Sequence, residues 1–355
     1  MSRLQDVAKR AGVSVSTVSN VMNGRTENMK PENLRRVREA IEALGYRPNR
    51  AARFLKTGQT PLIGLLVPSI SNPIFASLAR EVEDIAQEEH GYRVLVGNTY
   101  LDSRKEKSFL DDLISHGIRG VIIVSPLLEL KHFKEAIKRG LIGVSYDRRH
   151  IPGTELEVDY VSIDNFEAAH SAANHLIENG HRRLAYITPS SKTISRMDKI
   201  DGFLAAVKKA RLSETCEVIE VEALKGYGDA EMAELGRTLS KRIMAQQTRP
   251  TGIVAMNDMM ATGLILGLQS GGVRVPEDVS VVGIDDMFLS AIIGAGITSV
   301  RIPLKEMAKT MVNRIIYRLG NPHVRTEEFI FPSPLVLRGS VAALKQGLGP
   351  DGMNP

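Results

Sequence analysis

Polar side chains follow most of the apolar runs in the chain, and their types suit the binding of a polyhydroxylated molecule. Carboxylate and amide oxygens can hold pairs of hydroxyl groups while an aromatic ring stacks on the face of a sugar. The candidates are Ser69, Asn72, Ile74, Phe75, Asn98, Thr99, Ser125, Asp147, Arg148, Asn257, Asp258, Asp285 and Asp286. Any one of them alone fits a helix cap or an Asx-turn equally well. Their joint recurrence after apolar runs favours a binding site.

The same residues do not form a pattern typical of catalysis. The sequence lacks GxxxxGK[ST], GxGxxG, GxSxG, HExxH and the cysteine spacings of metal sites. Asp285 and Asp286 are adjacent carboxylates without a nucleophile, which favours hydrogen bonding in a cleft over acid–base work. His170 and His175 lie five residues apart, a poor spacing for metal ligation on one helix, and the single Cys216 can form no internal disulfide. We predict no enzymatic activity, no cofactor and no metal.

Short apolar runs alternate with helical stretches from Leu62 onward. Such strands, buried on both faces and separated by helices, are typical of parallel sheets covered by helices. The predicted strands span 62–67, 92–97, 120–125, 141–146, 184–189, 217–222, 252–257 and 279–284. Two sets of four strands predict two doubly wound lobes, with the chain crossing between them near 160–165 and 290–300. Ligands of such sheets bind beyond the carboxyl ends of the strands, which is where the polar candidates lie.

The charge of the chain is concentrated in its first 57 residues. This segment has 12 Lys and Arg against 5 Asp and Glu, so it carries +7, and the remainder carries −2 of the net +5. A basic segment on a near-neutral body indicates a polyanionic partner.

The basic segment has the pattern of three helices. The first has one apolar face and ends at Gly12, Ser14 caps a second helix over Val15–Met22, and a third runs from Pro31 to Gly45. Two short helices joined by a glycine-containing turn make a helix-turn-helix, whose second helix enters the major groove of DNA. The alternative is a three-helix packing module without a DNA role.

Four positions near the start of the second helix are predicted to be exposed, namely Val15, Ser16, Thr17 and Asn20. Ser16 and Asn20 can hydrogen-bond base edges, and Val15 can contact a thymine methyl group. Asn49 can cap a further helix of about seven residues, which is too short to be stable alone in water. Because that helix carries Arg53 and Lys56 and an exposed Leu55, we expect it to fold on binding.

The strings DVAKRAGVSVSTVSNVMNG and LGYRPNRAARFLKTG resemble the head of the lac-repressor/purine-repressor (LacI/GalR) family, and the resemblance extends along nearly the whole chain. It implies that Val15, Ser16 and Asn20 read bases in the major groove. It also implies that two hinge helices pair in a dimer at Ala52, and that Leu55 wedges into the minor groove with Lys56 beside it. The loop 23–30 is one residue longer than the family's usual loop.

VPSISNPIF, VSIDN, MNDMMATG and VSVVGIDDM resemble the effector domain of the same family. The resemblance implies that Ile74 and Phe75 line a cleft, together with the carboxylates of Asp147, Asp258 and Asp285. The family's arginine before a Gly-aromatic pair is replaced here by Lys199. The other effector candidates are Asn98, Arg148, Ser195, Arg196, Tyr227 (for stacking) and Asn257.

The predicted protein has a helix-turn-helix domain at 1–47, a hinge at 48–60, a two-lobed body at 61–342 and a disordered tail at 343–355. Lobe 1 is predicted to comprise 61–161 and 292–320, and lobe 2 to comprise 162–291 and 321–342.

The expected function is repression of transcription by a cytoplasmic homodimer that binds a pseudo-palindromic DNA operator and a sugar-like effector. A transport binding protein or a sugar or nucleotide enzyme could share the body, but the basic head argues against the first and the missing catalytic motifs against the second. No membrane span is predicted, since no run reaches about 18 apolar residues.

Overall fold

The computed structural model describes residues 4–22, 26, 29–46, 60–128, 130–150, 156–222 and 231–344. The chain divides into two compact units, residues 1–60 and residues 61–355. The predicted hinge helix, residues 223–230 and the predicted tail beyond 344 lie outside the described residues.

The described residues of the first unit form three helices. These helices are α1 (Leu4–Ala11), α2 (Val15–Met22) and α3 (Pro31–Ala43). They enclose a small core of Val7, Ala8, Ala11, Val18, Val37 and Ala40. The backbone N–H of Thr17 donates to Ser14 Oγ at 3.1 Å, which confirms the predicted cap of α2. Gly12 ends α1 in the left-handed region at φ 63°, as its position in the sequence predicts.

The second unit contains two parallel sheets flanked by helices. In chain order its elements are β1 (Leu62–Val67), α4 (Pro73–His90), β2 (Arg93–Asn98), α5 (Ser103–Ser115), β3 (Gly120–Ile123), α6 (Lys131–Lys138), β4 (Ile142–Tyr146), β5 (Asp159–Ile163), α7 (Asn165–Glu178), β6 (Leu184–Pro189), α8 (Ile194–Lys209), β7 (Glu217–Val221), α9 (Glu231–Met244), β8 (Gly252–Ala255), α10 (Asp258–Ser270), β9 (Ser280–Asp285), α11 (Phe288–Ile292), β10 (Thr298–Arg301), α12 (Leu304–Gly320), β11 (Glu328–Phe331) and β12 (Leu335–Val336). All eight strands that the apolar runs predict are present.

Among the described residues each sheet has six strands. The first sheet has the order β11-β5-β4-β3-β1-β2, and the second has the order β12-β10-β9-β8-β6-β7. Only β12 pairs antiparallel, against β10. Helices on both faces bury the central strands, which explains why these strands read as continuous apolar runs.

The predicted lobe boundaries are wrong near the end of the chain. Strand β10 at 298–301 pairs with β9 in the second sheet, although 292–320 was expected in lobe 1. Strand β11 at 328–331 pairs with β5 in the first sheet, although 321–342 was expected in lobe 2. The chain therefore crosses between the lobes three times, near 164, near 303 and near 333. Strand β11 is a short, half-exposed edge strand, and β10 is largely buried but has only four residues, one of them apolar, so neither has the apolar signal of the other central strands.

Candidate ligand cleft and candidate DNA-reading surface

A cavity of about 390 Å³ lies between the carboxyl ends of the two sheets. Lobe 1 lines it with residues that follow β1, β2, β3 and β4, and lobe 2 lines it with residues that follow β6, β8 and β9. This is the position at which doubly wound sheets bind ligands. The predicted effector residues that the structure brings together there are Ile74, Phe75, Asp147, Arg148, Ser195, Arg196, Lys199, Asn257 and Asp285.

Two predicted effector residues do not line the cavity. Asn98 is exposed, and its Oδ1 accepts a hydrogen bond from the backbone N–H of Ile70 at 2.8 Å, so it ties together the loops after β1 and β2. Asp258 is fully buried beneath the cavity, where its carboxylate accepts from the hydroxyls of Ser290 and Ser299 and from the backbone N–H of Met287. Both side chains hold loops in place. Tyr227, the predicted stacking residue, lies outside the described residues.

Several lining residues were not predicted from the sequence. They are chiefly apolar or aromatic and include Tyr100, Leu101, Leu128, Tyr146, Met232 and Met256, with Glu231 as an added carboxylate. Tyr100 and Leu101 begin the loop after β2. The sequence pattern did not predict them, because it selects polar side chains such as those of Asn98 and Thr99. With Phe75, Tyr100 gives the cavity two aromatic rings that are suited to packing on a sugar ring.

The backbone around the cavity is strained. Tyr100, Leu101, Asp147 and Asp285 all line the cavity and adopt positive φ angles of 53°, 58°, 55° and 125°. Side chains other than glycine seldom occupy this region, and such residues persist at ligand-binding and catalytic sites where the surroundings enforce them. Of the six non-glycine residues with a positive φ angle in the described part of the chain, four line this cavity, which supports its assignment as a binding site.

Three of the four basic residues that line the cavity, Arg148, Arg196 and Lys199, differ in the contacts that their charged groups already make. Arg148 donates to the carbonyl of Leu127 at 3.0 Å, and the Arg196 guanidinium is held by Ser191 and by Met256 Sδ at 3.2 Å. Lys199 is only 7% exposed. Its ammonium group acts electrostatically on Asp285, and this attraction partly offsets the other influences on that carboxyl. Lys199 thus lines the cavity at the place where the family resemblance puts an arginine, and its charge acts on Asp285.

Asp285 is a buried acidic residue of the cavity wall, with 8% of its surface exposed. Burial raises its pKa well above the ordinary value of 3.8, and the nearby carboxylates of Asp258 and Asp147 raise it further. Asp147, on the opposite lobe, accepts a hydrogen bond from Asn165 Nδ2 at 2.9 Å. The cavity thus presents carboxyl groups from both lobes, which can share hydroxyl groups of one bound molecule.

The exposed start of α2 forms the candidate DNA-reading surface. Val15 is 43% exposed, and Ser16 and Asn20 are also exposed. Thr17 is half-buried, and its Oγ1 lies 2.8 Å from Ser14 Oγ, so it contributes to the cap of the helix. The predicted hinge residues Asn49, Ala52, Arg53, Leu55 and Lys56 lie outside the described residues.

Two family descriptions match the chain, one in its first unit and one over part of its two-lobed unit. Residues 3–49 match the lacI family of bacterial regulatory proteins, and residues 173–341 match the periplasmic binding protein-like domain. The HTH-type transcriptional repressor PurR of Aliivibrio fischeri (strain MJ11) is 32% identical over 96% of this chain and 98% of its own length. The chain belongs to the lacI family. Its first unit is therefore a DNA-binding domain, and it is a transcriptional regulator whose two-lobed unit is a ligand-binding domain.

Other members of the lacI family agree with this assignment. Catabolite control protein A of Priestia megaterium is 32% identical over 95% of this chain and 98% of its own length. A LacI family regulator from Enterococcus faecium, solved with bound ribose, is 26% identical and covers 80% of this chain and all of its own, with a TM-score of 0.70. A lac repressor dimer bound to operator and an anti-inducer is 23% identical, covers 96% of this chain and 99% of its own, and has a TM-score of 0.81, which supports the fold.

No helix in the described part of the chain has the length and apolar character needed to cross a membrane. Those same residues contain no group of three or more His, Cys, Asp or Glu side chains placed to hold a metal ion.

Proposed function

We propose that this lacI-family member is a repressor that binds a pseudo-palindromic operator as a homodimer and is controlled by a small molecule in the cavity between its lobes. The observation that carries this proposal is the cavity itself, which both lobes line with polar side chains in a chain that also has a helix-turn-helix. A relative of 32% identity is named a transcriptional repressor. Because its proposed partner is the bacterial chromosome, we assign the protein to the cytoplasm.

We assign the reading of base edges to Ser16 and Asn20. We assign an apolar base contact to Val15 and a contact with the DNA backbone to Thr17. We further assign the minor-groove contact to Leu55, with Asn49, Ala52, Arg53 and Lys56 in the same hinge segment. These hinge roles rest on the family resemblance of that segment.

The effector we propose is a sugar or sugar derivative. Asp147 and Asp285, from opposite lobes, supply acceptors for hydroxyl groups, and Phe75 and Tyr100 supply rings for the apolar face of the sugar. Solved relatives hold ribose in one case and cellobiose in another, the latter at 25% identity. We assign no reaction to the site; the described residues hold no group of three or more His, Cys, Asp or Glu side chains placed to bind a metal ion.

The symmetry of the proposed operator and the surface of lobe 2 support the proposed homodimer. A palindromic site presents the same half-site twice, which matches a protein of twofold symmetry. Phe288 and Ile292, one turn apart on α11, are 79% and 58% exposed. Such paired apolar side chains suit a self-complementary contact between two copies.

The proposed regulation is tested by measuring whether ligand binding and operator binding affect each other. A thermal-shift screen of sugars, beginning with ribose and cellobiose, is expected to yield a molecule that raises the melting temperature. That molecule is expected to change operator affinity by about 5- to 150-fold, and operator DNA must change its affinity by the same factor. A molecule that binds the cavity and leaves operator affinity unchanged contradicts the regulatory part of the proposal.

DNA reading is tested at Asn20. Replacing Asn20 with alanine is expected to weaken binding to the selected operator by about 10- to 100-fold and to relax preference at one base pair of each half-site, because one base-edge contact is lost. Selection from a random DNA library, followed by fluorescence anisotropy at fixed salt, measures both effects. Arg35→Ala is the matched control, since Arg35 is paired with Glu39 on α3 at 2.9 Å. An unchanged base preference in the Asn20 variant contradicts direct reading by this residue.

A further inference from the structure

An ion pair joins the two lobes at the edge of the cleft. Arg149, in the loop after β4 of lobe 1, donates from Nε to Asp198 Oδ2 at 2.8 Å and from a terminal nitrogen to Oδ1 at 2.7 Å. Asp198 lies in the first turns of α8 in lobe 2. A guanidinium and a carboxylate joined by two parallel hydrogen bonds fix orientation as well as distance. This contact therefore holds one lobe against the other in a defined geometry.

The pair lies beside the ligand cavity and not in its lining. Arg149 and Asp198 instead line a neighbouring cavity of about 410 Å³ between the lobes. The carboxylate of Asp198 raises the pKa of Arg149 most, and those of Glu328 and Asp201 raise it further, so three acidic groups from both lobes surround one guanidinium. The Asp198 side chain is 15% exposed and that of Arg149 is 52% exposed, so the pair is partly open to screening by solvent and salt.

Other ion pairs between described residues remain within one lobe or within the head. Arg314 and Arg318 bind Asp159 inside lobe 1, and Arg301 and Arg338 bind Asp286 inside lobe 2. Of the ion pairs that join described residues, the one between Arg149 and Asp198 connects the lobes. Its loss would therefore change the relative placement of the lobes while sparing the packing of each.

The neighbours of the pair in the sequence are cavity residues. Asp147 and Arg148 directly precede Arg149, and Ser195 and Lys199 lie on α8 with Asp198. Holding Asp198 against Arg149 therefore also holds both walls of the cavity at the separation seen here.

We infer that Arg149 and Asp198 are positioning residues that hold the cleft closed and set the distance between its two walls. They act through the cavity residues beside them and contact no ligand themselves. The regulatory meaning of this closure rests on the proposed cleft effector, whereas the closure itself is measurable without any ligand.

The test is a distance measurement by pulsed electron spin resonance on the full-length protein without ligand. Spin labels are placed at exposed positions on opposite lobes, through Lys134→Cys on α6 and Lys241→Cys on α9, with Cys216→Ser to remove the native thiol. Arg149→Ala and Asp198→Ala are each expected to shift the distances to longer values. The closed-to-open population ratio should fall about fivefold, the size expected for one well-formed ion pair at a partly exposed site. In the protein that keeps both Arg149 and Asp198, raising the salt from 0.1 M to 1 M should also shift the spin-label distances to longer values.

Two further variants distinguish the loss of this one ion pair from a general loss of structure. The exchanged variant, with Arg149→Asp and Asp198→Arg together, is expected to restore the shorter distances. The matched control is Arg274→Ala, because Arg274 makes a similar two-bond pair with Asp278 inside lobe 2, at 3.0 and 2.6 Å. Unchanged distances in both single variants overturn the inference, as does an exchanged variant that stays at the longer distances. Failure of the effector screen leaves this result standing, so the two proposals are tested separately.

Discussion

Replacing Asp258 with alanine is expected to lower the free energy of unfolding by about 3 kcal/mol, because three buried donors lose their acceptor at once. Asp258 is 0% exposed. Its Oδ1 accepts from Ser299 Oγ at 2.6 Å, and its Oδ2 accepts from the backbone N–H of Met287 at 3.0 Å and from Ser290 Oγ. The carboxylate thus joins the start of α10 to α11 and β10. Urea unfolding followed by circular dichroism measures the loss.

Asp258→Asn is the matched variant, since its amide can accept from Met287 and Ser290 while its NH2 group donates to Ser299. We expect it to cost less than about 1.5 kcal/mol. An alanine variant as stable as the asparagine variant contradicts the assigned role.

The unsubstituted protein and the Asp258→Asn variant are expected to differ in how their stability depends on pH. Burial raises the pKa of Asp258 to about 6 from an ordinary 3.8, while its hydrogen bonds to Ser290, Ser299 and Met287 lower it. Between these two values the folded protein holds a proton that the unfolded chain releases, so the contribution of this group to stability is greatest below about pH 3.8. It is lost as the pH rises to about 6 and is constant above that. The asparagine variant lacks this dependence, and the difference between the two proteins isolates it from all other titrations.

Asp258 also illustrates how far the sequence predicts the site. The position of each strand end was predictable, because buried parallel strands are continuous apolar runs, and this placed Ile74, Asp147 and Asp285 correctly at the cavity. The direction of each side chain was not predictable. Asn257 and Asp258 are adjacent in the sequence, yet the first lines the cavity as the cap of α10 and the second points into the core. One step along a helix start turns a side chain by about 100°.

The lobe boundaries were missed for a different reason. Strand β11 has alternating exposed and half-buried residues, and β12 has two residues, so neither shows the continuous apolar signal of the central strands. Their membership of a sheet is decided by long-range pairing with β5 and β10. The pair of Arg149 with Asp198 was equally hidden, since its partners lie 49 residues apart and no local pattern links them. Long-range contacts of this kind depend on the assembled fold.

Gly202→Ala is expected to lower the free energy of unfolding by about 3 kcal/mol, because the added methyl group meets backbone and not a movable side chain. A Cβ at Gly202 would lie 2.0 Å from the carbonyl oxygen of Phe166, at the close approach of α8 to α7. The two helices must move apart to admit it. Since α8 carries Ser195, Asp198 and Lys199, the displacement should also disturb the cavity wall and the inter-lobe pair.

The variant Gly320→Ala separates this steric effect from the general effect of removing a glycine. Gly320 ends α12 with nothing within 4 Å of an added Cβ. Alanine restricts the unfolded chain more than glycine does, so we expect this variant to be unchanged or more stable by up to about 1 kcal/mol. Urea unfolding compares the two proteins, and the spin-label distances between α6 and α9 report whether lobe 2 has moved relative to lobe 1. Equal stability of the two variants would mean that α8 and α7 can separate at little cost, and the assignment of α8 as a rigid wall of the cavity would then fail.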